Sequence, residues 1–274
     1  MTVNPPVHRS QPGAPETPGH VDPLHQQRLE ADHSREAIAA RLDAGYQHSY
    51  IRDLVLGAID GCVTTFAVVS GVAGAGLPTS VILVLGVANL LADGFSMAVS
   101  NFQGIRAEQQ MRERARRTEE RHVDRIPEGE REEIRQIFAR KGVTGDDLEH
   151  LVRIVTSDRR LWIDTMLEQE LGLSLVGPSA WKAGAATFVA FVVVGLVPLT
   201  IFLYELLASP VAYPYAWSAI LTGGAFFAVG AAKGRFVERP WYLSGLETLA
   251  VGGMAALLAY VVGHLLRNLV GMVA

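Results

Sequence analysis

The sequence predicts an all-α integral membrane protein of five transmembrane helices with a three-helix polar domain inserted between the second and third spans. Three observations carry that prediction. Five apolar runs each reach the roughly 20 residues that cross a hydrocarbon core about 30 Å thick. Charge is segregated: residues 101–178 hold 14 of the 24 Lys and Arg and 16 of the 28 Asp and Glu, and the runs on either side are nearly bare. A composition 49% hydrophobic and 19% charged is too apolar for an ordinary soluble domain and too charged for a chain that is all membrane.

Residues 1–30 are rich in Pro and His, lack the apolar core of a signal peptide and read as a disordered tail. His8, His20, His25 and His33 are loose metal donors there, although plain tail composition explains them too. Residues 31–52 turn amphipathic, with Ile38, Leu42 and Tyr46 on one stripe, which suits a helix lying along the membrane face or an ordinary solvated one. Runs at about 54–76 and 79–101, parted by "AGAGLPTS", make a first transmembrane hairpin over 53–101. Runs at about 180–207, 212–233 and 243–266 make spans three to five within 179–274, the first two parted by "ASPVAYPY". Pro198 should kink the third span, because it removes a backbone donor and crowds the preceding turn. Runs such as "GVAGAG" and "VGGMAALLAYVVG" permit close helix approach.

The polar block, 102–178, begins as a continuation of the second span, with no Gly or Pro between Ile105 and Ile126. Pro127 opens a second helix that Gly142 stops. A third helix follows to about Gly172, with a break near Ser157. Lys and Arg counting places this block, Arg41, Arg52 and the turn holding Lys233, Arg235 and Arg239 on the cytosolic side, with the N-terminus inside and the C-terminus outside. Arg267 alone falls on the wrong side. Arg outnumbers Lys 21 to 3, which points to a GC-rich bacterial source and so to a plasma (inner) membrane.

Net charge of -4 with interleaved signs leaves no basic stripe for nucleic acid. One cysteine, Cys62, excludes an intrachain disulfide and any CxxC site. The informative residues are acids in apolar surroundings. An ionised carboxylate at bilayer depth costs about 2.5 to 3.5 kcal/mol on insertion scales, so Asp60 and Asp93 should face protein or water. Asn89, Asp93 and Met97 recur every four residues along one face of the second span, and Asp60 lies at matching depth in the first. Two oxygen donors beside a thioether favour a transition metal over Ca²⁺ or Mg²⁺; the alternative is that Met97 packs and Asp93 bonds a neighbouring helix. In the polar block Glu119 with His122, Glu130 with Glu133, and Met166 with Glu170 stand at helical spacing, each pair able to point to one centre. A salt-bridged surface accounts for the same spacing, since 14 basic side chains interleave with them.

Taken in order, "IRDLVLGAIDGCVTTFAVVSGVAGA", "SMAVSNFQGIRAE", "PEGEREEIRQIFARKG", "WIDTMLEQELGL" and "SGLETLAVGGMAALLAYVVGHLL" resemble the vacuolar iron transporter family over residues 50–266. The resemblance implies a five-span homodimer, its pore between the first two helices of both subunits, exporting Fe²⁺ from the cytosol in exchange for protons. It puts Asp60 and Met97 in the pore, with Asn89 in place of an acid and Asp93 one turn on. By motif position it implies a cytosolic metal site of Glu119, His122, Glu130, Glu133, Met166 and Glu170, with His122 and Leu167 where other members carry glutamates. Fe²⁺, or Mn²⁺ in its place, is cargo, and no prosthetic group is expected. The partners are then a second copy, lipid, metal ions and protons. The rival readings are a membrane-anchored di-iron oxidase and a metal sensor without flux. The first needs two Glu-x-x-His pairs on four helices, and within the polar block only Glu119 with His122 fits.

Overall fold

The computed structural model describes residues 23–44 and 48–273, which are helices and short turns. The N-terminal unit holds two short helices, α1 (Pro23–Asp32) and α2 (Arg35–Ala44). They differ from the sequence expectation twice. The stretch read as a tail to residue 30 is helical from Pro23, and the helix expected over 31–52 is cut at Ser34, whose Oγ accepts from the Ala37 N–H at 3.2 Å and so caps α2. Ile38 and Leu42 are exposed. Tyr46, His8 and His20, like the side chain of His25, lie outside the described residues.

The second unit, from His48 onward, carries five helices long and apolar enough to cross a membrane. The first is α3 (Ile51–Ala75). It ends where Gly76 takes the left-handed conformation at φ 66° and the Gly76 and Leu77 N–H groups close onto the carbonyls of Ala73 and Val72. Pro78 then turns the chain into α4 (Thr79–Arg125), 47 residues without a break. It stops because Ile126 precedes Pro127 and is pushed off helical geometry. Arg267, the one cation on the wrong side by sequence, packs its guanidinium over Gly76, at the electronegative end of α3.

The polar lobe is the outer half of α4 followed by α5 (Pro127–Arg140), α6 (Gly145–Ser157) and α7 (Arg159–Gln169). It therefore has four helical segments rather than three: Asp158 Oδ1 accepts from the N–H groups of Arg160 and Leu161, so a new helix starts there instead of continuing α6. A separate apolar core closes the lobe around Val123, Ile134, Val152, Trp162, Ile163, Met166 and Leu167.

Span three is α8 (Ala180–Gly195), a 3₁₀ turn over Val197–Leu199, and α9 (Thr200–Leu207). Pro198 sits in the turn, and its carbonyl accepts from Ser218 Oγ at 2.7 Å on the next helix. That helix is α10 (Pro214–Phe236), and α11 (Trp241–Val273) completes the fold. Trp181, Trp241 and Tyr242 are exposed where α8 and α11 begin, as interfacial aromatic belts require.

Backbone contact between α3 and its neighbours fixes the geometry. A Cβ at Gly57 or Gly61 would collide with the carbonyls of Thr187 and Phe191 on α8, and one at Gly74 with the carbonyl of Tyr260 on α11. Small residues thus hold α3 between α8 and α11 by close packing, the main cohesive term available in lipid. The contacts of α4 are mixed: the Ala98 carbonyl packs on Gly184 of α8, where a Cβ would collide with it, and the rest are side-chain contacts. Gly86 and Gly94 receive the side chains of Leu199 and Phe191.

Candidate metal centre and intramembrane acid stripe

On α4, one face is closed against α8 and the 3₁₀ turn through Gly86, Leu90 and Gly94, and the opposite face, with Leu91 and Phe95, is exposed. Asn89, Asp93 and Met97 lie between the two, each half-buried. Asp60 on α3 is half-buried too and close enough to Asp93 for the two carboxyl groups to interact coulombically. Among the described residues neither acid has a cationic partner. The Asn89 Nδ2 is buried with no hydrogen-bond acceptor, a donor left open in apolar surroundings at a cost of about 1 to 3 kcal/mol. A polar path or a hydrated ion alongside would relieve all three groups.

The second constellation is in the lobe. Glu119 and His122 stand one turn apart on α4, and Glu130 comes from the first turn of α5, brought back toward them by the turn at Pro127. One ligand atom from each of the three lies within 4.8 Å of the others, with His122 Nδ1 3.3 Å from Glu130 Oε1. Glu119 is 5% and Glu130 1% exposed, while the His122 side chain is 47% exposed and leaves the centre open on one side. Oε2 of Glu119 and Oε2 of Glu130 are both buried with no hydrogen-bond partner.

Two more acids act on this centre. Burial, reinforced by Glu133, Glu119 and Glu170, pushes the Glu130 carboxyl up to about 7. Burial also raises Glu119, with His122 opposing and Glu133 adding to the rise. Glu170, at the C-cap of α7, is raised by burial and then by Glu133 and Glu119. The basic side chains pair elsewhere: Arg116 with Asp164, Arg117 with Glu113, Arg131 with Glu128, Arg135 with Glu132 and Glu149, and Arg159 with Asp124. Among the described residues no Lys or Arg pairs with Glu119, Glu130, Glu133 or Glu170, so the lobe is not a uniformly salt-bridged surface. Two carboxyl groups and an imidazole converge, with Glu133 and Glu170 near enough to act on them electrostatically and, among the described residues, no Lys or Arg paired to these acids; carboxylate and imidazole are donors that suit a divalent transition metal.

Met166 is fully buried in the apolar core, one turn before Glu170 and outside the group of three. Leu167, also buried there, contributes packing. Sequence reasoning missed two features. Trp162 Nε1 is buried without an acceptor, and the ring carries the Arg131 guanidinium 5.6 Å from its centroid. A polar junction of Asp53, Asn101 and Thr187 ties three membrane helices together. Its only trace in the sequence is that Asn101 continues the series 89, 93, 97.

Comparison with known proteins matches residues 51–264 to the VIT family. A vacuolar iron transporter of Toxoplasma gondii is 33% identical over 229 residues, 81% of this chain and 76% of its own. Vacuolar iron transporter 1 of Eucalyptus grandis is 30% identical over 88% of this chain and 94% of its own, and vacuolar iron transporter 1 of Arabidopsis thaliana 28% over 80% and 86%.

Proposed function

The chain belongs to the VIT family, and from that premise we propose that it carries a divalent transition metal, Fe²⁺ or Mn²⁺ in its place, out of the cytosol by exchange with protons. It is a multi-pass membrane transporter rather than an enzyme. The relatives' names supply iron as the cargo, and the donor chemistry of both constellations supports it. The observation that carries the reading is the pair Asp60 and Asp93, two half-buried carboxyl groups on neighbouring membrane helices with, among the described residues, no Lys or Arg paired to either.

In this reading the polar lobe faces the cytosol and Glu119, His122, Glu130, Glu133 and Glu170, with Met166 beside them, collect the ion. Asp60, Asp93 and Met97 then replace part of its water shell, and Asn89 adds a neutral oxygen. A second copy covers the open side of the α4 stripe, so that two subunits share one path. Protons arriving from the far side neutralise the acids and release the metal. One carboxylate does not hold a proton and a cation with equal strength at once, and exchange follows from that competition. The N-terminus is cytosolic, and in a bacterium the membrane is the plasma membrane.

The test is uptake of Fe²⁺ into inside-out vesicles with and without a pH gradient. Wild-type vesicles should accumulate metal in proportion to the gradient, and Asp60→Ala and Met97→Ala vesicles should not. Proton-dependent uptake in both variants would refute the pore. A metal sensor without flux predicts that wild-type vesicles take up nothing. Oxygen-dependent Fe²⁺ oxidation by the full chain would instead favour the oxidase.

A further inference from the structure

Where α4 emerges from the acid stripe, the Asn101 amide joins three helices. Its Nδ2 donates to Asp53 Oδ1 on α3 and to Thr187 Oγ1 on α8, both at 2.8 Å. Thr187 in turn donates to the Ala183 carbonyl at 3.0 Å, so its only proton is committed and it meets Asn101 purely as an acceptor. Asp53 is 6% exposed and Thr187 fully buried. Both amide protons of Asn101 are therefore spoken for by acceptors of fixed position. Aspartate at 101 would set carboxylate against carboxylate at Asp53 and would keep a bond to Thr187 only if that hydroxyl gave up the Ala183 carbonyl to donate.

The placement gives the junction its role. Asn101 is one turn past Met97 in the series 89, 93, 97, and Asp53 is two turns before Asp60 on α3. Backbone contact at Gly57 and Gly61 already fixes α3 against α8. Against that pair, the membrane part of α4 rests on the side chains of Phe191 and Leu199 and, between Met97 and Asn101, on one close backbone contact, the Ala98 carbonyl against Gly184 of α8; these contacts set distance, and a directional bond to two helices at once adds rotation and depth. Among the described residues, the two bonds of Asn101 are the side-chain hydrogen bonds that tie this part of α4 to other helices.

We propose that Asn101 is a positioning residue: with Asp53 and Thr187 it latches α4 in the rotation and depth that bring Asp93 and Met97 to Asp60. The Asp53 carboxylate is then occupied by the latch and is not a ligand of the ion. The inference rests on the pore reading above, and its test separates the two.

The full chain is purified, its melting temperature taken in detergent, and Fe²⁺ flux into liposomes measured against metal concentration and pH. Asn101→Asp should raise the half-saturating concentration about tenfold, as expected for loss of a buried bond to a charged group, and lower the melting temperature. Asp53→Asn keeps an acceptor oxygen facing Asn101 and should stay within about threefold of wild type. The decisive variant is the exchange, Asp53→Asn with Asn101→Asp. It rebuilds the amide–carboxylate pair with roles reversed, the Thr187 hydroxyl turning to donate to the new carboxylate. Half-saturation, pH profile and melting temperature should all return toward wild type. An exchange variant as impaired as Asn101→Asp overturns the latch, and so does loss of flux in Asp53→Asn at an unchanged melting temperature, which would make Asp53 a ligand. Wild-type liposomes that move no metal would sink the pore reading instead, and the latch would then stand or fall on the melting temperatures.

Discussion

The two acid constellations solve the same electrostatic problem differently. In the polar lobe the carboxyl groups are enclosed, Glu119 and Glu130 being nearly inaccessible with an orphaned oxygen each, and only the side that holds the half-exposed His122 imidazole is open. In the membrane Asp60 and Asp93 are only half-buried, on a seam between two helices whose outer face is open. An enclosed, multidentate set binds tightly and releases slowly, while a sparse, half-open pair binds only as well as onward movement allows. The difference teaches that the lobe is suited to capture and the stripe to passage.

That contrast can be broken most directly by comparing one acid from each place in the same flux assay. Asp60→Ala should abolish uptake, while Glu130→Gln should weaken metal binding about tenfold to a hundredfold, measured by titration of the purified chain, and slow flux without stopping it at high metal. Equal losses at saturating metal would mean that the lobe is part of the path rather than its antechamber.

A second, smaller effect sharpens the same comparison through pH. The Glu130 carboxyl is raised to about 7, with Glu119 and Glu170 raised as well, so the folded lobe holds protons that the unfolded chain releases between the ordinary glutamate range and pH 7. Stability of the metal-free protein should therefore fall as pH climbs through that window and level off above it. Added metal should offset the loss, and its stabilising effect should grow with pH, because the ligands must first give up their protons. Melting curves from pH 5 to 8 with and without Fe²⁺ or Zn²⁺ check both; a metal-free curve that rises with pH would remove the case for a strained acid centre.

The smallest expected effect concerns the scaffold alone. Asp158→Ala removes the cap that starts α7 and should cost about 1 kcal/mol, read by denaturant unfolding of the lobe's signal. Uptake at saturating metal should be unaffected, since the one acid near the centre that α7 carries, Glu170, lies at its far end.

What the sequence made legible follows from how local each signal is. The five spans were readable because an apolar run of the right length has few other uses, and a kink at Pro198 because a missing donor acts in place, although that the kink is a 3₁₀ turn was not. Glu119 and His122 could be paired from spacing, since one helix sets their geometry. The arrival of Glu130 depended on the turn at Pro127, which the sequence also marks. The cap at Asp158 was less visible, because any exposed Asp in a polar run looks alike until its neighbours' N–H groups are placed. Of the Asn101 junction the sequence showed only a place in the series 89, 93, 97, its partners lying 48 and 86 residues away on other helices.

One feature of the fold binds capture and passage mechanically. Because α4 runs 47 residues without interruption, Asp93 and Glu119 ride on a single axle about 39 Å apart along its length. Neither can be re-aimed alone: a residue spliced into the shaft between them would swing one through about 100° relative to the other. In the proposed reading, a twist imposed where the lobe holds metal would reach the acid stripe along the same shaft.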